Sequence, residues 1–194
     1  MKLVVCEGRD DEAVLSGLCE ASGITGLTFE NCGGRNKLER FVRQLHIRLE
    51  FAHQDVESLA IVIDAETSLE ASWQKIRNAV QLGFKVKLAE HGAFAGEEPR
   101  IAGFVVSGPH GRGMIEDLCL DSVSDRPGYA CLQQYFQCLA EKTDKKEYHS
   151  KAKFRAWMAS QAEYEAYIGE AAKHGFIPWE KPAFTPLRDF LRQL

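Results

Sequence analysis

No apolar run in the sequence approaches the ~20 residues that a membrane-spanning helix needs. Its opening, Met1-Lys2-Leu3-Val4-Val5-Cys6, is too short and too soon followed by acid for a secretory leader. Membrane and secreted classes are therefore not expected, and a cytoplasmic protein is. The cysteines, at positions 6, 19, 32, 119, 131 and 138, form no Cys-x-x-Cys pair, which argues against a structural zinc site and for reduced thiols. Positive charge is not in excess: Lys and Arg total 24 against 28 Asp and Glu, for a net charge of −4. That excludes a domain binding nucleic acid through bulk basicity. It leaves open an enzyme that grips a phosphodiester through metal ions and a local basic strip. Internal repeats and low-complexity tracts are also missing, so solenoid and disordered classes drop out.

What is present is an ordinary globular composition, 45% hydrophobic and 27% charged over 194 residues, enough for one domain with a full core. Lys2 to Cys6 reads as a β-branched strand. After the turn Glu7-Gly8-Arg9, Asp10 or Asp11 can cap a helix that places Ala13, Val14, Leu18 and Ala21 on one face. A second strand is expected over Ile24–Phe29, ended by Asn31-Cys32-Gly33-Gly34. Residues 35–53 have helical period, with Leu38, Phe41, Val42, Leu45, Leu49 and Ala52 in one stripe. Leu59–Ile63 is apolar on both faces, as a central parallel strand should be. It runs into Asp64-Ala65-Glu66, with Thr67 or Ser68 capping the next helix. Further strands are expected over Phe84–Leu88 and Ile101–Val106, then a short helix from Met114 to about Val123. Residues 108–113 are glycine-rich but lack the Lys-Ser or Lys-Thr of a phosphate loop, and read as a turn. Beyond about 126 every segment reads as helix. Strand–helix alternation predicts an α/β fold with a mostly parallel, Rossmann-like sheet over residues 1–125, and a helical extension over 126–194 packed on the same domain.

Open parallel sheets bind ligands beyond the carboxyl ends of their strands. Glu7 follows the first strand, and Asp64 and Glu66 follow the central one. The i, i+2 spacing of Asp64 and Glu66 puts both on one side of an extended backbone. Asp11 sits four residues after Glu7, on the facing helical turn. The four carboxylates can converge, and like charges that close repel and raise one another's pKa unless a cation neutralises them. Oxygen donors without His or Cys suit Mg²⁺ or Mn²⁺.

Two of these segments resemble the Toprim family. Val4-Val5-Cys6-Glu7-Gly8-Arg9-Asp10-Asp11 is similar to its first motif, a hydrophobic strand followed by Glu-Gly and a polar turn. Ile61-Val62-Ile63-Asp64-Ala65-Glu66 is similar to its second, the Asp-x-Asp strand end. The likeness is nearest to small stand-alone Toprim-like bacterial proteins, related to the overcoming-lysogenization-defect (OLD) nucleases. It extends to Gly113-Met114-Ile115-Glu116-Asp117-Leu118 and His149-Ser150-Lys151-Ala152-Lys153, about residues 1–160 in all. The resemblance implies Glu7 as general acid/base and metal ligand, Asp64 and Glu66 as the metal-binding pair, and Asp11 as an added acidic ligand. It implies Glu116, with Asp117 as substitute, as a position able to hold a second cation. Glu66 departs from the usual aspartate by one methylene, which bears on whether two ions can sit ~3.5–4 Å apart.

Substrate contact needs cations. Lys37, Arg40 and Arg48 line one flank of the 35–53 helix, as a candidate nucleic-acid strip or as a solvated face. Lys151 or Lys153 could approach the leaving phosphate, as the OLD-type resemblance implies. Trp73, Trp157 and Trp179 read as core. The expectation is a Mg²⁺- or Mn²⁺-dependent nuclease hydrolysing DNA or RNA, with an ATPase or defence-system protein as a possible partner. One alternative is a non-catalytic module that binds a metal or a partner through the same acidic cleft. Another is a small-ester phosphohydrolase, for which Asp64-Ala65-Glu66-Thr67 lacks the full Asp-x-Asp-x-Thr pattern.

Overall fold

The computed structural model describes residues 1–48, 56–108, 110–144, 147, 149–161, 163 and 168–194. Four parallel strands, β1 (Lys2–Cys6), β2 (Leu27–Asn31), β3 (Ser58–Asp64) and β4 (Arg100–Val106), form one sheet in the order β2-β1-β3-β4. With helices on both faces this is an α/β, Rossmann-like architecture. Alternation along the strands divides the core. Leu3, Val5, Leu59, Ile61, Ile63, Ile101 and Val105 face α2 (Leu38–Ile47) and α3 (Leu69–Phe84). Val4, Cys6, Ala60, Val62, Ala102 and Val106 face α1 (Arg9–Ala21) and α4 (Ile115–Ser122). Gly103 lies where α3 crosses the sheet: a Cβ there would stand 2.6 Å from Ile76 and 2.8 Å from Trp73, so only glycine permits the approach.

The α1 face is completed by the C-terminal third. α5 (Tyr129–Lys142), α6 (Ser150–Ala159), α7 (Ile168–Lys173) and α8 (Thr185–Leu191) complete the chain. Phe154, Trp157, Ile168, Phe184, Leu187 and Phe190 share one hydrophobic cluster with the strands. Residues 126–194 thus supply the layer that α1 and α4 leave unfilled. Trp73 and Trp157 are buried, and Trp179 packs against the core.

Several boundaries differ from expectation. The second strand starts at Leu27, because Ile24 is used to close α1, its amide donating to the Cys19 carbonyl at 2.9 Å. Gly8, not Asp10 or Asp11, takes the N-cap position of α1, and Asp11 caps the helix from its third position by accepting from the Gly8 amide. The 35–53 segment opens as a 3-10 turn, Arg35–Lys37, and its α-helix ends at Ile47; Leu49 and Ala52 lie outside the described residues. No strand forms over 84–88. α3 runs through Phe84, Lys85 takes the left-handed C-cap (φ 60°), and Leu88 is buried against the α2/α3 core without joining the sheet. Among the described residues, no helix is long and apolar enough to cross a membrane.

Candidate functional site

In a sheet of order 2-1-3-4 the strand order reverses between β1 and β3, and it is outside the carboxyl ends at such a switch point that open parallel sheets bind ligands. Glu7 and Asp64 end the two strands that flank it. The register pairs Val5 with Ile61, so the amide of Asp64 extends one residue past the level of Glu7. The Glu7 carboxylate takes over as its acceptor, with Oε1 3.2 Å from Asp64 N.

The pleat then sends the two side chains to opposite faces. Glu7 continues the parity of Leu3 and Val5 toward α2 and α3. There Arg35 reaches in from the 3-10 turn after Gly34. Its Nη1 donates to the Asp64 carbonyl at 2.8 Å, and its Nη2 to Ser72 Oγ on α3 at 2.6 Å. The same Nη1 lies 3.7 Å from Glu7 Oε1 and 3.5 Å from Glu66 Oε2. Burial pushes the Glu7 carboxyl up from its ordinary value; Arg35 and the Asp64 amide pull it down, and Asp11 and Glu66 push it up again.

Asp64 continues the parity of Ala60 and Val62 toward α1 and α4. Its Oδ1 accepts from the amide of Ile115, the first residue of α4, at 2.9 Å. Burial raises its pKa well above the ordinary aspartate value, and Asp11, Glu116 and Glu7 each add to the rise. Asp11 turns back over its own helix start, Oδ2 accepting from the Gly8 amide at 2.7 Å. Its pKa is pushed up to about 6, by burial first and then by Glu116 and Asp10, against the Gly8 amide and Lys151. Glu116 is buried, 4% exposed. It pairs with Lys151, whose Nζ lies 3.4 Å away and 2.8 Å from Asp10. Burial works against the Lys151 ammonium, but the hydrogen bond to Asp10 and the charge of Glu116 hold its pKa above the usual value.

Glu7, Asp11, Asp64 and Glu116 are thus brought to one rim. Other expected site residues are placed differently. Glu66 does not share a side with Asp64, because its backbone is left-handed (φ 51°) rather than extended. A two-way backbone bridge with Gly113 (2.7 and 2.8 Å) fixes that turn and sends the half-exposed carboxylate to Arg35. Asp117 is a structural cap: Oδ2 accepts from the Met114 amide at 2.7 Å and Oδ1 from the Ser150 hydroxyl. Gly113 is required beside it, with φ 121° and a Cβ position 2.8 Å from that Oδ2. Lys153 is separated from Lys151 by two positions, about 200° around a helix, and lines a cavity with Tyr129, Phe136 and Glu147 away from the carboxylates. Lys37 and Arg40 are exposed, while Arg48 sits past the end of α2 and pairs with Glu30 at 2.8 Å.

Arg35, Ser72 and Asp10 were not among the expected site residues. Arg35 had a signal: it follows the Gly33-Gly34 turn after β2, so the strand-end rule applied to cations points to it. A cavity of about 950 Å³ lies elsewhere, between α5 and α6, lined by Arg126, Cys131, Tyr135, Trp157 and His174 but by none of the site carboxylates. The rim is shallow by comparison; its candidacy rests on charge and topology.

Among the described residues no three His, Cys, Asp or Glu side chains are drawn together tightly enough to hold a metal ion as they stand. The reason is visible in the contacts. Backbone amides, Arg35 and Lys151 hold the carboxylates in separate places, as like charges without a cation should be held. The donor set itself fits a hard divalent cation. It consists of oxygens only, and the thiols nearby, Cys6 and Cys119, are held protonated by burial. Asp11 and Glu116 on the Asp64 side, and Glu7 from the other, all raise the Asp64 pKa, and Lys151, partly exposed, pairs with Glu116.

A hypothetical protein from Pyrococcus horikoshii OT3, known from its crystal structure, is similar in fold, with a TM-score of 0.61 at 12% identity over 99% of this chain and 92% of that one. At that identity the likeness bears on the fold alone. No curated protein matches the chain. The family model described as "Protein of unknown function (DUF3226)" matches residues 1–194, and the chain belongs to that family.

Proposed function

We propose that this protein is a Mg²⁺- or Mn²⁺-dependent nuclease with a Toprim-like carboxylate site, hydrolysing phosphodiesters in DNA or RNA. The observation that supports this reading best is the meeting of Glu7 and Asp64 at the switch point of a parallel sheet, with Asp11 and Glu116 crowding Asp64. Asp64, Asp11 and Glu116, with Glu7, would hold the cation. A bound divalent ion supplies charge stabilisation for a phosphoryl transition state and a more acidic water. Glu7 is suited to take a proton from a water molecule, because burial raises its pKa above the ordinary value while Arg35 and the Asp64 amide keep its carboxylate oriented. Lys151 sits at the outer edge, its ammonium already beside Asp10 and Glu116, and would face a substrate phosphate approaching from solvent. Exposed Lys37 and Arg40 remain candidates for contact with a nucleic-acid backbone; Arg48, paired with Glu30, is a weaker one. A cytosolic setting, with the cysteines free and reduced, goes with this reading, as does an ATPase or defence-system partner.

The test is incubation of the full chain with labelled single- and double-stranded DNA and RNA, in EDTA and in Mg²⁺ or Mn²⁺. The expected result is metal-dependent cleavage that a Glu7→Gln/Asp64→Asn double variant reduces to background. Equal background in both proteins removes the nuclease reading.

A second reading, a non-catalytic module that binds a metal or a partner protein, is favoured by one observation. Glu66, the residue expected to complete the metal pair, is half exposed and tied to Arg35. It predicts a metal-dependent rise in melting temperature without turnover on any of these substrates.

A further inference from the structure

The guanidinium of Arg35 is held by groups that do not depend on the carboxylates beside it. Its side chain is only 14% exposed. One nitrogen is anchored to the backbone at the end of β3 (Asp64 carbonyl, 2.8 Å) and the other to Ser72 Oγ (2.6 Å). Ser72 is in turn fixed, its hydroxyl within 3.1 Å of the Ala65 carbonyl and 3.0 Å of the Ser68 carbonyl. A planar fork held at both prongs is a charge of fixed position. That position is between Glu7 and Glu66, 3.7 and 3.5 Å from their carboxylate oxygens. These are the two acidic side chains on the α2/α3 side of the rim. The left-handed turn at Glu66 and its bridge to Gly113 direct the longer side chain there and away from Asp64.

Resting on the metal-dependent reading above, we propose that Arg35 is a built-in countercharge standing in the place of a second metal ion, so that the rim takes one divalent cation and takes it on the Asp64 side. A second divalent ion on the Glu7–Glu66 side would have to share their oxygens with a guanidinium that cannot move off, and like charges at that separation repel strongly. Among the described residues no comparably anchored cation is seen on the other side. Lys151 is 44% exposed, on a flexible stem, and contacts Glu116 and Asp10 rather than Asp64. Arg35 is a positioning residue in this scheme: it holds Glu7 in place and keeps a second ion out.

The experiment is a titration of the full chain with Mn²⁺, followed by calorimetry and by the electron paramagnetic resonance signal of free Mn²⁺. Melting temperature is recorded in parallel, in EDTA and in saturating Mn²⁺. Wild type should bind one ion per chain. Arg35→Gln should bind two, and should gain more melting temperature from Mn²⁺ than wild type does. Arg35→Lys, which restores the charge, should return to one. Glu66→Gln, at a half-exposed position that keeps the fold safe, should still bind one ion with affinity within about threefold of wild type. Two ions in wild type, one in Arg35→Gln, or loss of the ion in Glu66→Gln would each overturn the proposal. One ion in wild type without cleavage of any nucleic acid would remove the nuclease reading and leave the role of Arg35 standing. No ion in wild type would end both.

Discussion

On the α2/α3 face of the sheet Glu7 and Glu66 meet a fixed guanidinium, whereas on the α1/α4 face Asp64 and Asp11 are held by backbone amides and Glu116 by a partly exposed lysine, with Asp11 and Glu116 near enough to raise the pKa of Asp64. The two groups start from adjacent strands and the same rim. What separates them is the two-residue period of the pleat together with one left-handed residue. On the first side burial raises the Glu7 pKa but Arg35 opposes it. On the second, burial and three neighbouring carboxylates all act in one direction on Asp64, and a single α4 amide opposes them. The carboxylates of one side share a guanidinium, while those of the other are held apart by backbone amides and Lys151. On the reading proposed above, a divalent ion would be taken on the Asp64 side.

The largest break in this comparison comes from removing the fixed charge. In metal-free buffer Arg35→Gln should lower unfolding free energy by about 3 kcal/mol, because half-buried Glu7 loses its cation and Ser72 loses its donor. Urea unfolding in EDTA measures it, and a loss below about 1 kcal/mol would mean that Arg35 does not hold that side together.

Next is the pH dependence of the other side. Asp11 has a folded pKa of about 6 against an ordinary 3.8, and Asp64 and Glu7 are shifted in the same direction. A carboxyl whose folded pKa is raised binds more protons folded than unfolded. Its contribution to stability is complete below pH 4 and is lost as pH rises through about 6. Metal-free protein should therefore lose on the order of 2–3 kcal/mol between pH 4 and 7 from Asp11 alone. Asp11→Asn, which keeps an acceptor for the Gly8 amide, should flatten that slope. A curve rising across this range after correction for the rest of the chain would contradict the crowding.

A smaller effect, of opposite sign to that of Arg35→Gln, is expected from Asp64→Asn. Removing a crowded buried charge while keeping an acceptor for Ile115 should stabilise the metal-free protein at pH 7.5 by about 1–2 kcal/mol. It should also abolish the rise in melting temperature produced by Mn²⁺. Destabilisation without metal would place the repulsion elsewhere. Smallest of all is the lysine pair. Lys151→Met should cost about 0.5–1 kcal/mol, since the ammonium is partly exposed. Lys153→Ala, facing the α5 side, should fall within about 0.5 kcal/mol and leave Mn²⁺ binding unchanged.

The sheet was legible because the apolar runs at 2–6, 59–63 and 101–106 are short and buried on both faces, as strands of a parallel sheet covered by helices on both sides are, the edge strand β4 included. The strand-end rule then found Glu7 and Asp64 without any structure. Phe84–Leu88 misled because an apolar run reads alike whether it ends a helix or makes a strand, and periodicity cannot separate the two in five residues. Glu66 was misplaced because alternation holds only while the backbone stays extended, and a positive φ at a glutamate carries no sequence signal of its own. Arg35 was missed for a different reason: only acids were sought at strand ends. Asp117 shows the limit of spacing arguments, since a capping carboxylate and a ligating one occupy the same register beside Glu116.

Diffraction from crystals soaked in Mn²⁺, recorded for anomalous scattering, reads the central claim directly. The expected map has one strong peak per chain at the β1–β3 rim, bonded to Asp64 and to at least one of Asp11, Glu116 and Glu7. A rim without a peak, in crystals whose Mn²⁺ is bound elsewhere on the same molecule, would contradict it.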